Sequence, residues 1–179
     1  MYQELTKFKM PKDFRGKPII IVQIWRITQS VIFRFSPRFL NCWRRFLLRL
    51  FGANIGKKVL IRPSAKILYP WKLNIADYSW IGDDVNIYNM ANVNIGKNVV
   101  ISQNSYLCTG SHDYTNTAFR IFAEPIEIED EVWIATDVFI APNVKIGHGT
   151  VVGYRSVVTK NLPPKMICIG SPAKPIKSR

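Results

Sequence analysis

Between Ile55 and Pro163 the chain repeats a six-residue unit, and few folds can absorb such a period. Each unit opens on an aliphatic residue, often with Gly or a small polar residue next, and carries a small residue four places after the aliphatic. The openings run from Ile55, Ile61 and Ile67 through Ile75, Ile81, Ile87, Ile95, Ile101 and Leu107, then from Ile128 through Ile134, Ile140, Ile146, Val152 and Val158. All fifteen are Ile, Leu or Val, and thirteen of the fifteen residues four places on are Ser, Thr, Ala or Val. Such a pattern describes a solenoid of short parallel strands, whose rungs bury their apolar edges only by stacking. Three hexads make one triangular turn. The aliphatic points into the narrow core, where each buried side chain contributes about 1.5–3 kcal/mol, and the small residue fits a corner. Ile55, Ile75 and Ile95 are twenty residues apart whereas Ile128 and Ile146 are eighteen apart, so the early coils carry two extra corner residues. Five coils are expected.

The period stops after Ser111 and resumes at Ile128. The intervening stretch, His112 to Pro125, shows no strand alternation and reads as a loop thrown out of the coil. Insertions on one face of a repeat protein often carry its binding function. His112 stands at the root of this excursion, on the last ordered hexad, where the coil would hold it rigid and partly shielded. Histidine is the side chain whose ordinary pKa suits a general base near neutral pH. The other histidine, His148, lies in the hexad turn Ile146-Gly147-His148-Gly149 and reads as exposed and structural. Cys42, Cys108 and Cys168 are odd in number and widely spaced, so no disulfide framework is implied. Cys108 reads as a small packing group, not a nucleophile.

Residues 1–50 have a different composition. They hold eleven Lys and Arg against Glu4 and Asp13, most of the chain's net charge of +13. Ile19 through Phe35 reads as an apolar helix with Gln23, Arg26, Ser30 and Arg34 on one stripe. A second helix is expected with Ser36 as N-cap, Pro37 as first residue and Gly52 past its end. Phe39, Trp43, Phe46, Leu47 and Leu50 would line one side, and Arg38, Arg45 and Arg49 another. Arg26 near the middle of a short apolar run argues against a membrane span. The helices are expected to pack over the open end or side of the solenoid, where strand edges would otherwise be bare. Contact with a membrane surface through residues 19–51 is the other reading, and the two are compatible. The N-terminus lacks an apolar core with a small-residue cleavage site, which makes a cytoplasmic location the expectation.

The hexads, the segment Cys108-Thr109-Gly110-Ser111-His112-Asp113-Tyr114, the run Val157-Val158-Thr159-Lys160-Asn161-Leu162-Pro163-Pro164 and the ending Gly170-Ser171-Pro172-Ala173-Lys174-Pro175-Ile176 resemble the hexapeptide-repeat acyltransferases. Within them the chain is most similar to colanic acid biosynthesis acetyltransferases, relatives of maltose and galactoside O-acetyltransferases. The resemblance implies a left-handed parallel β-helix of about five coils with an N-terminal helical segment. It also implies a homotrimer with sites between subunits and acetyl-CoA as co-substrate without a metal. The organisation expected is residues 1–52 as the basic helical segment, 53–163 as the β-helix with loop 112–125, and 164–179 as a C-terminal tail. A histidine at the position of His112 would take the proton of a sugar hydroxyl, which attacks the thioester directly. Motif matching assigns CoA contacts to Ala135, Thr136, Gly153, Tyr154, Thr159 and Lys160, the last also suited to phosphate. Tyr154-Arg155 replaces two small residues common in relatives. Asp84 and Asn89 fall at the acceptor end, though both also suit corner positions, and Asp113 is placed to orient His112 or meet the acceptor.

The function expected is therefore O-acetylation of a sugar hydroxyl in an exopolysaccharide or surface-glycan precursor, with an acceptor that can be lipid-linked. The alternatives are a sugar-nucleotide N-acetyltransferase and a non-catalytic β-helix scaffold. Two histidines cannot build the three-histidine zinc site of a γ-type carbonic anhydrase. The charge alone suggests nucleic acid, but the basic residues cluster beside apolar helices and no nucleic-acid motif is present.

Overall fold

The opening aliphatics stack in three columns, one on each sheet of a triangular parallel β-solenoid. The structure is a computed structural model describing residues 2–12 and 14–179. On the first face Ile55, Ile75, Ile95, Ile128 and Ile146 are successive register partners, and Leu162 bridges to Ile146. On the second face the column is Ile61, Ile81, Ile101, Ile134, Val152 and Cys168. On the third it is Ile67, Ile87, Leu107, Ile140 and Val158. Five coils are complete, and Leu162 with the strand Met166–Gly170 begins a sixth. Every side chain in these columns is buried. Cys168 ends the second column as an apolar filler, and burial pushes its thiol pKa up.

The small corner residues turn inward as well, and their hydroxyls link coils. Ser79 Oγ donates to the Gly96 carbonyl at 2.6 Å and accepts from Val99 N–H at 3.0 Å. Ser105 does the same between Ala135 and Val138. Three places after an opening aliphatic the backbone enters the left-handed region, at Lys58, Tyr78, Asp84, Asn98, Asn104, Glu131, Asp137, Asn143 and Arg155. Asn and Asp tolerate this conformation best. The glycine that often follows the aliphatic has a different cause. A Cβ at Gly82 would lie 2.8 Å from Gln103 N and 2.9 Å from Ile101 O, backbone of the next coil. Coil-to-coil spacing leaves no room there for a side chain.

The helical segment closes the first end of the solenoid. Helix α1 (Ile19–Thr28) runs into a π-helical turn at Gln29–Phe33, and α2 spans Asn41–Leu50. The first coil leaves strand edges with unpaired N–H and C=O groups, and side chains supply the missing partners. Trp25 Nε1 donates to the Ile67 carbonyl at 2.8 Å, and Gln29 Oε1 accepts from Ile67 N–H at 2.6 Å. Arg44 Nε donates to Ile61 O, Arg45 to Val59 O and Arg49 to Ile55 O. Arg44 is fully buried and also donates to Ser36 Oγ, Pro37 O, Arg38 O and Asn41 Oδ1. Among the described residues no buried side-chain polar atom lacks a partner.

This cap corrects the helix assignments. Ser36 is not an N-cap: its hydroxyl donates to the Phe33 carbonyl and receives Arg44, so α2 starts at Asn41. The inward side of α2 is Arg44, Leu47 and Leu48, while Phe39, Trp43, Phe46 and Leu50 stay exposed. A strand edge offers carbonyls, so it takes the guanidinium face of the helix in place of the aromatic one. At the other end, Met166–Gly170 turns back into Ala173–Ser178 as an antiparallel pair.

Candidate active site

The excursion after Ser111 leaves the corner between the third and first faces. It is a β-hairpin, not an irregular loop: Gly110–His112 pairs antiparallel with Ile121–Ala123, with His112 opposite Ile121. The hairpin forms because the two arms lie outside the coil and can satisfy only each other. A groove of about 620 Å³ opens along it, lined by Ser111, His112, Asp113, Tyr114, Thr115, Arg120, Ile121 and Phe122.

His112 is half-buried at the base of this groove, and its orientation is fixed. Nδ1 lies 2.9 Å from the Phe119 carbonyl. A carbonyl only accepts, so Nδ1 carries the proton and Nε2 of the neutral ring keeps its lone pair. The imidazole stacks on the Phe119 ring at 4.3 Å and 8° between planes. Phe8 approaches the other way at 5.9 Å, and the segment carrying it is tied to the hairpin by Glu4 N–H donating to Thr117 O at 2.7 Å. Sequence reasoning missed both phenylalanines. Phe119 sits seven residues from His112 with no periodic signal, and Phe8 comes from the far end of the chain.

The remaining assigned residues fall into separate groups. Asp113 does not orient His112: its Oδ1 accepts from Thr115 N–H at 3.0 Å and Thr115 Oγ1 at 2.6 Å. Those hydrogen bonds, the side-chain one foremost, hold its pKa below the usual carboxylate value. Asn89 is fully buried, with its amide bonded to the Tyr69 N–H and carbonyl, so no acceptor can reach it. Asp84 is an exposed corner residue in the left-handed region. Asp84, Ala135, Thr136, Gly153 and Tyr154 follow strands of the second face and lie on the edge between the second and third faces. His112, Thr159 and Lys160 lie on the edge between the third and first. One copy of the chain therefore does not bring His112 and the first four CoA-contact residues onto a common edge.

Tyr154 is 76 % exposed, and Arg155 Nε reaches Asp137 Oδ2 at 3.4 Å. The bulk noted at Tyr154-Arg155 thus projects outward from its corner. His148 is half-exposed rather than free, 3.9 Å from Glu131, with its N–H donating to Glu129. Cys108 donates to the Gly110 carbonyl, and burial pushes its thiol pKa up. A raised thiol pKa is the reverse of what a nucleophilic cysteine needs. Among the described residues no group of three His, Cys, Asp or Glu is placed to hold a metal.

A hexad-built prism with an oriented imidazole where a hairpin leaves its wall defines the class of hexapeptide-repeat transferases. Comparison with known proteins agrees. Residues 125–160 match the family described as bacterial transferase hexapeptide (six repeats). Over 177 residues the chain is 57 % identical to the provisionally named colanic acid biosynthesis acetyltransferase WcaF of Escherichia coli (strain K12), covering 99 % of this chain and 97 % of that one. It is 29 % identical over 137 residues to the galactoside O-acetyltransferase of the same organism, covering 75 % and 68 % of the two chains. Its fold superposes with a TM-score of 0.80 on the hexapeptide-repeat acetyltransferase VCA0836 of Vibrio cholerae O1 biovar eltor complexed with acetyl coenzyme A, at 27 % identity over 89 % of this chain and 87 % of that one. The chain belongs to the hexapeptide-repeat acetyltransferases, in the branch of the colanic acid biosynthesis enzymes.

Proposed function

We propose that this acetyltransferase transfers an acetyl group from acetyl-CoA to a sugar hydroxyl of an exopolysaccharide or surface-glycan precursor, with His112 as general base. The observation that carries the reading is the Nδ1–H bond to the Phe119 carbonyl. In the neutral ring it leaves the lone pair on Nε2 of a side chain that lines the groove. There Nε2 removes the hydroxyl proton as the oxygen bonds to the thioester carbonyl carbon. The tetrahedral intermediate collapses with loss of the CoA thiolate, and His112 returns the proton to that sulfur. No covalent enzyme intermediate is needed. Backbone amides supply the oxyanion donors.

The donor reading draws support from the acetyl-CoA complex of the Vibrio cholerae relative. The acceptor reading draws on the colanic acid and galactoside relatives. Assembly as a homotrimer is supported by the outward side chains. The first face presents Asn54, Asn74, Asn94, Glu127 and Lys145, whereas the second presents Leu60, Trp80, Val100, Trp133 and Val151. The third carries Lys66 and Asn86 on its first coils and Tyr106, Phe139 and Val157 on the later ones. One apolar face and the apolar later half of another suit a ring in which each copy meets two neighbours. Such a ring also brings an edge of one copy beside an edge of the next, uniting His112 with Ala135, Thr136, Gly153 and Tyr154. The location is cytoplasmic, at or near the inner membrane face where a lipid-linked precursor is built.

The test is thiol release from acetyl-CoA against a panel of glycans, wild type beside His112→Ala. A general base demands a loss of about a hundredfold or more. Equal turnover would remove His112 from that role, and an alkali-stable amide product would replace the O-acetyl reading with N-acetyl transfer.

A further inference from the structure

We propose that the helical cap is a docking face for an anionic lipid bilayer. The inward side chains of α1 and α2 are consumed by the edge strands of the first coil. Much of what remains exposed on the cap is apolar. Ile20 and Ile27 are each 65 % exposed and Phe35 78 %, and Trp43, Phe46 and Leu50 of α2 are also exposed. Trp43 and Phe46 stack on each other at 5.7 Å, both part exposed. Contiguous exposed apolar surface on this scale marks an interaction site.

The charge chooses the occupant. Residues 14–52 hold eight Lys and Arg and no Asp or Glu; Arg44, Arg45 and Arg49 are turned to the first coil and Arg38 pairs with Asp83, which leaves Lys17, Arg26 and Arg34 exposed for the headgroups. On the exposed half of α1 the aliphatic stripe of Ile20, Ile24 and Ile27 runs beside a polar stripe that includes the exposed Arg26, and Arg34 continues that stripe past the π-helical turn. Short helices lying flat, with aliphatic and aromatic side chains below and arginines at their flank, match the headgroup layer of an anionic membrane. A second copy of the same face would set cation against cation. Neighbours seated on the second and third faces would leave this end of the prism open. The helices do not span the bilayer: even α1 with its π-helical turn, residues 19–33, reaches about 22 Å, against a hydrocarbon core of about 30 Å, and no helix among the described residues is long and apolar enough to cross a membrane.

The inference stands apart from the transfer reaction, and its test needs no activity. Full-length protein is floated with vesicles of phosphatidylcholine alone and of phosphatidylcholine with phosphatidylglycerol, at low and high salt. Co-flotation is expected only with phosphatidylglycerol, weakening several-fold as salt is raised. The double variant Ile27→Glu, Phe46→Glu is expected to lose about tenfold or more in binding, and Arg26→Gln with Arg34→Gln several-fold. These side chains point outward, so the variants keep the wild-type thermal melt. His112→Ala floats as wild type. Failure of wild type to bind phosphatidylglycerol vesicles overturns the proposal, as does undiminished binding by both double variants. A drop in assembly size on Ile27→Glu, Phe46→Glu in sedimentation would also overturn it and assign the face to a second copy.

Discussion

His112 and Phe119 are joined twice: the ring Nδ1–H donates to the Phe119 carbonyl at 2.9 Å, and the two rings stack at 4.3 Å. Phe119 does so from the left-handed region at φ 48°, a conformation uncommon for a bulky residue away from the hexad corners. Its carbonyl is held against the imidazole in that conformation. In the proposed mechanism Phe119 is a positioning residue. Phe119→Ala is expected to lower kcat by about ten- to a hundredfold with little change in KM, and Phe119→Tyr, which keeps the ring, to recover most of it. Wild-type kcat in the alanine variant would show that stacking does not hold the base.

The pH profile follows from the hairpin's own bonds. Hydrogen bonds from Thr115 depress the Asp113 pKa. A depressed carboxylate stabilises the fold above its unfolded value of about 3.9, and that contribution is lost as pH falls through the lower folded value. Asp113 therefore stays ionised at neutral pH. The thermal midpoint is expected to fall as pH drops through that lower value, and Asp113→Asn is expected to lessen this acid dependence. An acid dependence unchanged in the variant would mean that the Thr115 bonds contribute nothing to the fold.

Arg44 makes five hydrogen bonds from a fully buried guanidinium without facing any carboxylate. Its substitution by Ala strands the carbonyls of Ile61, Pro37 and Arg38, a cost of about 3–5 kcal/mol by analogy with broken buried polar networks. Lysine lacks the planar fork and should recover little. Chemical denaturation measures this, and a loss under about 1 kcal/mol would mean that water replaces the guanidinium.

Phe139 projects from the third face, 37 % exposed and stacked on Tyr106 at 5.7 Å. On the proposed trimer reading, Phe139→Glu is expected to give folded monomers and abolish transfer, since that reading draws His112 and the second-to-third-face edge from neighbouring copies. Sedimentation velocity with circular dichroism decides it. An active monomer would place the whole site within one chain.

The hexads announced the solenoid because each short strand of a narrow prism turns one aliphatic into the core and each corner takes one small residue, so the fold constraint is written locally. Ile55 to Val158 fell into three columns as their spacing required, and the break after Ser111 marked where the wall opens. The helices were legible as helices, but their inward side was not. Hydrophobic patterning sends Phe39, Trp43 and Phe46 inward, whereas the edge strands of the first coil select Arg44, Arg45 and Arg49. Asn89 likewise resembled a ligand until Tyr69 claimed both ends of its amide.

By itself, then, the sequence determined a stacked triangular coil, a basic helical segment beside it and a histidine at the single gap in the repeat, because each is a property of neighbouring residues and their period. Only the tertiary structure decided which nitrogen of His112 is free, which helix face turns inward and which prism edge each site residue occupies. Those depend on hydrogen-bond partners dozens of residues away or across a hairpin, which no local spacing records.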